Sequence, residues 1–246
     1  MGTHGSADVA YVLINGQDVR GYLTTITDTR EARLEETTVL GDAYEQNAAT
    51  GLMKFEMSQE GFFDDATGAI HDVLSARLGS PSIIMLGYAG NVAAAPFVGA
   101  AGPLVESYER VVKVGELHKA KAEYHASGAA DEGAIVHALV ARTADGDTTA
   151  ASVDGGASSA DGAALYLSVT ALTLDGATGV AIEVMDSADN TTFVNLGSFT
   201  AVTAAAVAER VVVAGTVNRY LAVAWDFTGT PGAGASITFT VGVARL

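Results

Sequence analysis

Apolar and polar side chains alternate most clearly in residues 52–61, LMKFEMSQEG. Phe55 and Met57 share one face of an extended chain, while Lys54 and Glu56 share the other. Because successive side chains of a strand point to opposite sides, this period of two predicts a half-buried strand with one wet face.

Short apolar runs separated by turn-forming residues predict strands along most of the chain. Asn15 and Gly16 both tolerate positive φ, so they predict a tight turn between strands at residues 11–14 and 21–26. A strand pair is expected on either side of Gly115. The remaining predicted strands lie at residues 82–86, 104–114, 117–127, 165–174, 179–185, 192–199, 209–214, 220–226 and 236–244. Their spacing is typical of antiparallel β-sandwiches.

One segment has the period of a helix. Residues 65–78 place Ile70, Val73, Leu74 and Leu78 on a single apolar stripe. Asp64 or Asp65 is expected to cap the N-terminus, because a carboxylate accepts hydrogen bonds from the first free backbone N–H groups.

Two stretches show neither the period of a strand nor the period of a helix. Residues 27–50 are polar and rich in acids, and residues 87–102 are rich in Gly and Ala. Both are predicted to be connections without regular structure, and a loop as long as residues 27–50 is usually either functional or disordered. The pattern of residue types along the sequence changes near residues 129–133, which predicts two domains, at residues 1–133 and 134–246.

The composition excludes several classes of function. The formal net charge is -16, from 29 acidic and 13 basic residues, and such a surface repels nucleic acid. The chain has no cysteine, which removes disulfides and thiolate metal sites. No leader pattern opens the sequence and no apolar run of about 18 residues occurs, so neither secretion nor a membrane span is expected.

No spacing of side chains indicates an enzyme. No Gly-x-Ser-x-Gly elbow occurs, and the five histidines lack metal-site spacing. Asp186, Asp189 and Asn190 form either a calcium site or, as Asp and Asn commonly do, a turn. Trp225 is either a core residue or a sugar-stacking residue. We expect no catalytic residue, cofactor or bound metal.

The order of elements in the first 130 or so residues resembles that of the major tail (tail tube) proteins of long-tailed phages and archaeal viruses. The resemblance is carried by Asn15-Gly16, Tyr22-Leu23, Thr37-Thr38, Gly41-Asp42, Gly51-Leu52, Gly61-Phe62-Phe63-Asp64 and the late strand pair. It implies an all-β tail-tube sandwich or barrel with one flanking helix. The last 100 or so residues resemble the second, Greek-key or Ig-like sandwich that some of these proteins add, projecting outward.

The resemblance implies a structural function in a virion tail assembled in the host cytoplasm. Six subunits form a ring, the rings stack into a tube, and DNA passes through without specific binding. Partners would be further copies of the chain and the tape-measure, distal-tail and terminator proteins, with no membrane. The segment 27–50 would contact the neighbouring ring through Glu31, Arg33, Glu35, Glu36, Asp42 and Glu45. Channel-facing candidates are Lys54, Glu56 and Glu60. The alternative is a β-rich carbohydrate-binding or adhesin module.

Overall fold

The computed structural model describes residues 5–40, 43–125 and 128–246, without the side chains of residues 50–52. The described residues form one short α-helix, α1 (Ile70–Ser75), and three 3-10 helical turns at Ser6–Asp8, Arg20–Tyr22 and Thr149–Ala151. The strands are β1 (Tyr11–Ile14), β2 (Gln17–Asp18), β3 (Leu23–Glu36), β4 (Asn47–Phe62), β5 (Pro81–Gly87), β6 (Pro96–Val111), β7 (Lys119–His125), β8 (Ala130–Arg142), β9 (Gly146–Asp147), β10 (Val153–Asp154), β11 (Ala163–Thr173), β12 (Ala177–Ser187), β13 (Val194–Ser198), β14 (Val207–Val213), β15 (Tyr220–Gly229) and β16 (Ser236–Arg245).

The all-β prediction is confirmed, since strands make up 59% of the described residues and helices 6%. Each predicted strand overlaps an observed one. The half-buried strand at residues 52–61 is the second half of β4, in which Phe55, Met57 and Gln59 are buried while Glu56 and Glu60 are partly exposed.

The predicted helix at residues 65–78 is too long. The α-helix spans only Ile70–Ser75, and its N-cap residue is Ala69, without a side-chain hydrogen bond. Asp64 instead accepts a bond from the backbone N–H of Ala66 at 2.9 Å, which makes a local turn before the helix. Leu78, the last residue of the predicted stripe, is exposed.

The two predicted connections are wrong. Most of residues 27–50 belongs to β3 and β4, which pair as a long antiparallel hairpin from Leu23–Gly61 to Glu36–Asn47. The second half of residues 87–102 is the start of β6. The predicted strand at residues 21–26 covers only the start of β3, because residues 27–30 are polar throughout and interrupt the alternation that marks a strand.

The contacts divide the chain into two compact units. The first comprises residues 1–21, 82–101 and 130–246, and the second comprises residues 22–81 and 102–129. The predicted domain boundary after residue 133 falls within β8, so the compact units do not divide there. Assignment of residues 1–133 and 134–246 to separate functional domains stays a prediction.

The first unit contains two sheets packed around a core. One sheet includes the order β14-β11-β16-β8, and the other has the order β10-β15-β12-β13, with β9 beside β15. Leu165 and Val241 of the first sheet meet Ile182, Val223 and Trp225 of the second in one apolar cluster.

Strand β11 is buried on both of its faces. Leu165 points into the core between the sheets, while Tyr166 belongs to a second cluster with Tyr11, Leu13 and Phe97. When both faces of a strand are covered, apolar residues are favoured at every position, so the sequence does not alternate between apolar and polar residues. This explains the continuous apolar run at the start of β11.

The second unit is a sheet of four strands in the order β3-β4-β7-β6 (residues 102–111) with α1 against β7. The helix buries Ile70, Val73 and Leu74. On the buried face of the sheet, Met57 pairs with Tyr124, and Gln59 donates to the Tyr124 hydroxyl at 3.0 Å. One sheet face is thereby fixed on a core, and the opposite face is left to polar side chains.

Candidate assembly interface

The hairpin of β3 and β4 extends beyond the rest of its sheet. Strand β7 pairs with β4 from Phe62–Lys119 to Glu56–His125, and this is the last pair among the described residues. Residues 47–55 of β4 therefore have β3 as their one described neighbour. At about 3.4 Å per residue, this free part, which we call the arm, is about 30 Å long.

The arm is exposed on both faces as far as Lys54, whereas Phe55 at its base is buried. All of residues 31–40 are exposed, as are residues 43–49, 53 and 54. Its apolar side chains share this exposure, with Leu34 at 57%, Met53 at 63% and Tyr44 at 82%. A two-stranded hairpin is marginally stable alone in water, so this much uncovered apolar surface on a long arm favours a partner.

The polar face of the sheet carries a ladder of charged side chains, because directly opposed residues share a face. Glu31 pairs with Lys54, Glu56 with His125, and Glu60 with Lys121. The ladder continues onto β6, where Glu109 lies opposite Lys121 and Ser107 lies opposite Glu123. All three predicted channel residues, Lys54, Glu56 and Glu60, are therefore on this face.

Ion pairs link the charges of this face. The Nζ of Lys54 lies 2.6 Å from Glu56 Oε1, and that of Lys119 lies 2.6 Å from Glu60 Oε1. Lys121 lies 3.1 Å from Glu123. These contacts lower the pKa of Glu56 and Glu60, mainly through the hydrogen bonds from Lys54 and Lys119, and raise the pKa of the lysines.

His125 extends the network at the end where the arm begins. Its Nδ1 lies 3.1 Å from Glu56 Oε1, and its Nε2 lies 2.6 Å from Glu106 Oε2. The imidazole thus bridges carboxylates on β4 and β6 across β7.

The polar face is only moderately acidic. Its acids are Glu31, Glu56, Glu60, Glu106, Glu109 and Glu123, and its lysines are Lys54, Lys119 and Lys121. The six acids and three lysines alone give a formal charge of about -3. Three of the four lysines of the chain lie here, each close to a glutamate.

The predicted inter-ring residues lie along the arm, with one outside the described residues. Glu31, Arg33, Glu35 and Glu36 are on β3, and Glu45 follows the turn; all five are exposed. Asp42 lies outside the described residues. Arg33 and Glu35 approach each other at 3.8 Å, and Glu45 accepts a bond from Asn47 at 3.0 Å.

Sequence reasoning missed other members of this surface. Lys119, Lys121 and Glu123 alternate with Ala120, Ala122 and Tyr124, so the period of two within β7 was a usable signal. Glu106 was harder to place, because a register shift between Val105 and Ser107 breaks the parity of β6.

The other candidate sites have structural explanations. The Asp189 carboxylate accepts bonds from the backbone N–H groups of Thr191 and Thr192 at 2.9 and 2.8 Å, which is the turn alternative for that cluster. Within the described parts of the chain, no group of three His, Cys, Asp or Glu side chains is arranged for a metal. None of the described helices is long and apolar enough to cross a membrane.

Trp225 is a core residue. It is 6% exposed, and its Nε1 donates to the backbone oxygen of Ala144 at 2.7 Å. The guanidinium of Arg142 lies 4.6 Å from its ring centroid. A ring held in this way is unavailable for stacking on a sugar.

Comparisons with known proteins complete the description. No protein-family model and no curated protein matches the chain. A chain from the virion of a native gene transfer agent (GTA) particle is similar over 52% of this chain and 97% of its own, with 14% identity and a TM-score of 0.40. A chain from the tail of an empty GTA particle with C6 symmetry gives 13% identity and a TM-score of 0.41, over the same shares.

A third similar structure is the SPP1 Dit (gp 19.1) protein, described as a paradigm of the hub adsorption apparatus in phages that infect Gram-positive bacteria. It is 10% identical, the likeness covers 96% of this chain and 99% of that one, and the TM-score is 0.39. Likenesses at TM-scores this low carry no conclusion about function.

Proposed function

We propose that this chain is a structural subunit of a long-tailed virus or virus-like particle, forming six-membered rings that stack into the tail tube. The proposal rests on the chain's own surfaces. The observation that carries it is the arm of β3 and β4, because an exposed hairpin of about 30 Å with uncovered apolar side chains requires a second chain for cover.

An open strand edge supports ring formation. Among the described residues, β3 pairs with β4 alone, so its outer edge offers backbone N–H and C=O groups to another strand. Such edges cause uncontrolled association unless they are covered. Pairing with the next copy in a closed ring covers every edge and builds a barrel.

The polar face supports the function of a conduit. Its lysines are neutralised by neighbouring glutamates, and its remaining charge is negative. A channel wall with these charges repels DNA phosphates weakly, and its lysines, already paired with glutamates, do not bind the phosphates. We place Lys54, Glu56 and Glu60 on the channel wall and assign the arm residues Glu31 to Glu45 to contacts between rings. Residues 134–246 would form the outward domain.

Electron microscopy of the concentrated protein tests the proposal. We expect rings or tubes with six-fold symmetry in negative stain. The double variant Leu34→Ser/Tyr44→Ser should lose the stacked tubes, because the arm is assigned to contacts between rings. It should keep its melting temperature, since both side chains are exposed. Val194→Ser, at an exposed valine of β13, is the matched control and should assemble. Monomers in every sample, with no effect of the arm variant, would contradict the proposal.

A further inference from the structure

A second exposed apolar surface lies on the turn between β6 and β7. Val112, Val114 and Leu117 are exposed at 65%, 106% and 72%. Next to them is a cavity of about 280 Å³ lined by Phe63, Arg110, Val112, His118 and Lys119, which we call the end groove. It lies just below the usual size of small-molecule pockets, so it suits one or two protein side chains.

The end groove and the arm lie at opposite ends of the same sheet. Strand β4 begins at the tip of the arm with Asn47 and ends at Phe62, which pairs with Lys119. Lys119 also pairs with Val111, so the turn at residues 112–118 is at the far end of β4. Because the register fixes this order, the arm of one copy cannot reach its own groove without unfolding the sheet.

The two ends have complementary charges. Arg110 is exposed in the groove, and it makes no ion pair with any described residue. The other groove cation, Lys119, is already held by Glu60. On the arm, Glu36 is exposed and also has no ion pair among the described residues, whereas Glu35 lies near Arg33.

The apolar side chains also match. The tip of the arm presents Leu40 and Tyr44, which are 107% and 82% exposed. The groove presents Phe63 and Val112. An aromatic anchor that enters an apolar pocket with charged residues at its rim is the usual anatomy of a strong protein contact.

We propose that the arm of one copy docks head to tail into the end groove of a second copy, with Tyr44 and Leu40 against Phe63 and Val112. In this contact Glu36 pairs with Arg110. The inference rests on the proposed function for its setting, since it names the surface that receives the arm of the adjacent ring. A head-to-tail contact is heterologous, so it leaves one free arm and one free groove and propagates along an axis.

The absence of cysteine allows a clean proximity test. We would prepare Ala43→Cys and Val114→Cys separately, which lie beside Tyr44 and Val112 and leave both contact side chains in place, mix them at assembly concentration and oxidise. A mixed disulfide forms only where Cα atoms approach within about 7 Å. We expect the mixed pair to cross-link at least tenfold faster than Ala43→Cys mixed with Val194→Cys, the control at another exposed valine. Equal rates in the two mixtures would overturn the proposal.

Charge reversal gives an independent readout. Glu36→Arg and Arg110→Glu should each raise the critical concentration for stacking at least tenfold, and the two together should restore it. Melting temperatures show whether each variant folds. Tyr44→Ser, which adds no charge, provides a further loss-of-contact variant if either reversal fails to fold.

The outcomes separate the two proposals. Wild-type rings or tubes without the mixed disulfide or the charge rescue would retain the tail-tube function and reject the groove. The mixed disulfide in a protein that forms no six-fold rings would retain the head-to-tail contact and reject the ring. Cross-linking and charge rescue together with six-fold tubes would support both.

Discussion

Arg142 donates a hydrogen bond from its Nε to Nε2 of His137 over 3.0 Å. The imidazole is 1% exposed and stacks on Phe239, with 4.1 Å between ring centroids. Because Nε2 must keep its lone pair to accept this bond, the imidazole is held neutral. Burial, and then the charge of Arg142, lower the pKa of His137 from 6.5 to about 4.

This arrangement predicts acid sensitivity. The unfolded chain binds a proton at His137 below about pH 6.5, while the folded chain resists it down to about pH 4. The stabilisation is therefore complete above pH 6.5 and is lost as the pH falls towards 4, with a limit of about 3 kcal/mol. Urea unfolding at a series of pH values measures it. In His137→Gln, the free energy of unfolding should no longer show this fall between pH 6.5 and pH 4. If the variant and the wild type showed the same dependence on pH, His137 would not be its source.

A second prediction concerns a charged contact among β8, β11 and β14. Asp131 Oδ2 accepts bonds from Arg210 Nη2 at 2.8 Å and from the Tyr166 hydroxyl at 2.6 Å. The side chains of Arg210 and Asp131 are 17% and 11% exposed. Removing one partner leaves the other charge poorly solvated, so Arg210→Ala should cost about 3 kcal/mol.

A double-mutant cycle checks that value. Asp131→Ala should cost a similar amount, and the double variant should cost less than the sum of the two. Chemical denaturation of the four proteins gives the coupling energy. Additive losses would mean that the two side chains do not stabilise each other.

Two turn glycines, Gly16 before β2 and Gly115 between β6 and β7, should differ in how well they tolerate substitution by alanine. Gly16 has φ +85°, and a Cβ there would lie 2.5 Å from the Val207 nitrogen and 2.6 Å from the Val169 oxygen. Gly115 has φ +82° and open space around it. Gly115→Ala should cost about 1–2 kcal/mol of backbone strain, and Gly16→Ala should cost about 3 kcal/mol or more, because the backbone must also move.

Thermal or chemical unfolding compares the two glycine variants. Equal destabilisation would show that close approach at Gly16 adds nothing to the strain of positive φ. The pair is well matched, since both glycines lie in turns and have nearly the same φ.

Neutralising the glutamates of the polar face should create DNA binding that the wild-type protein lacks. The triple variant Glu56→Gln/Glu60→Gln/Glu123→Gln removes the carboxylates that lie within 3.1 Å of Lys54, Lys119 and Lys121. We expect salt-dependent retardation of DNA at low ionic strength, because lysines then neutralise phosphates. The wild-type protein should cause none.

The control for DNA binding changes the same number of charges elsewhere. Asp65→Asn/Asp161→Asn/Asp226→Asn removes three exposed carboxylates away from the ladder. Equal DNA binding by both triple variants would mean that net charge alone, rather than this face, governs the interaction.

The sequence predicted those elements whose two faces differ. The second half of β4 alternates between core and solvent, and its pattern gave both the strand and the face that carries Lys54, Glu56 and Glu60. The strands after residue 133 were recognised because turn-forming residues separate them. Trp225 remained ambiguous, since a core tryptophan and a ligand-stacking one have the same sequence signature until the bond to Ala144 is seen.

The sequence did not reveal elements that depend on distant residues or on other chains. Residues 27–30 of β3 are all polar and show no alternation, although the threonines at positions 24, 25, 27 and 29 favour a strand. The helix was overestimated because Leu78 continues the stripe without being buried. The first compact unit joins Tyr11, Phe97 and Tyr166 in one cluster, and no local pattern reports such a combination.

The register of β4 divides the strand into two halves, and substitutions in the two halves should be selected for different properties. Residues 56–62 are fixed between β3 and β7, so a substitution there is felt by the isolated monomer. The side chains of residues 47–49, 53 and 54 are exposed, so a screen of monomer stability would pass nearly every change at these positions. A screen that demands assembly would reject many of them. Deep mutational profiles under the two conditions should therefore agree in the second half of this strand and diverge in the first.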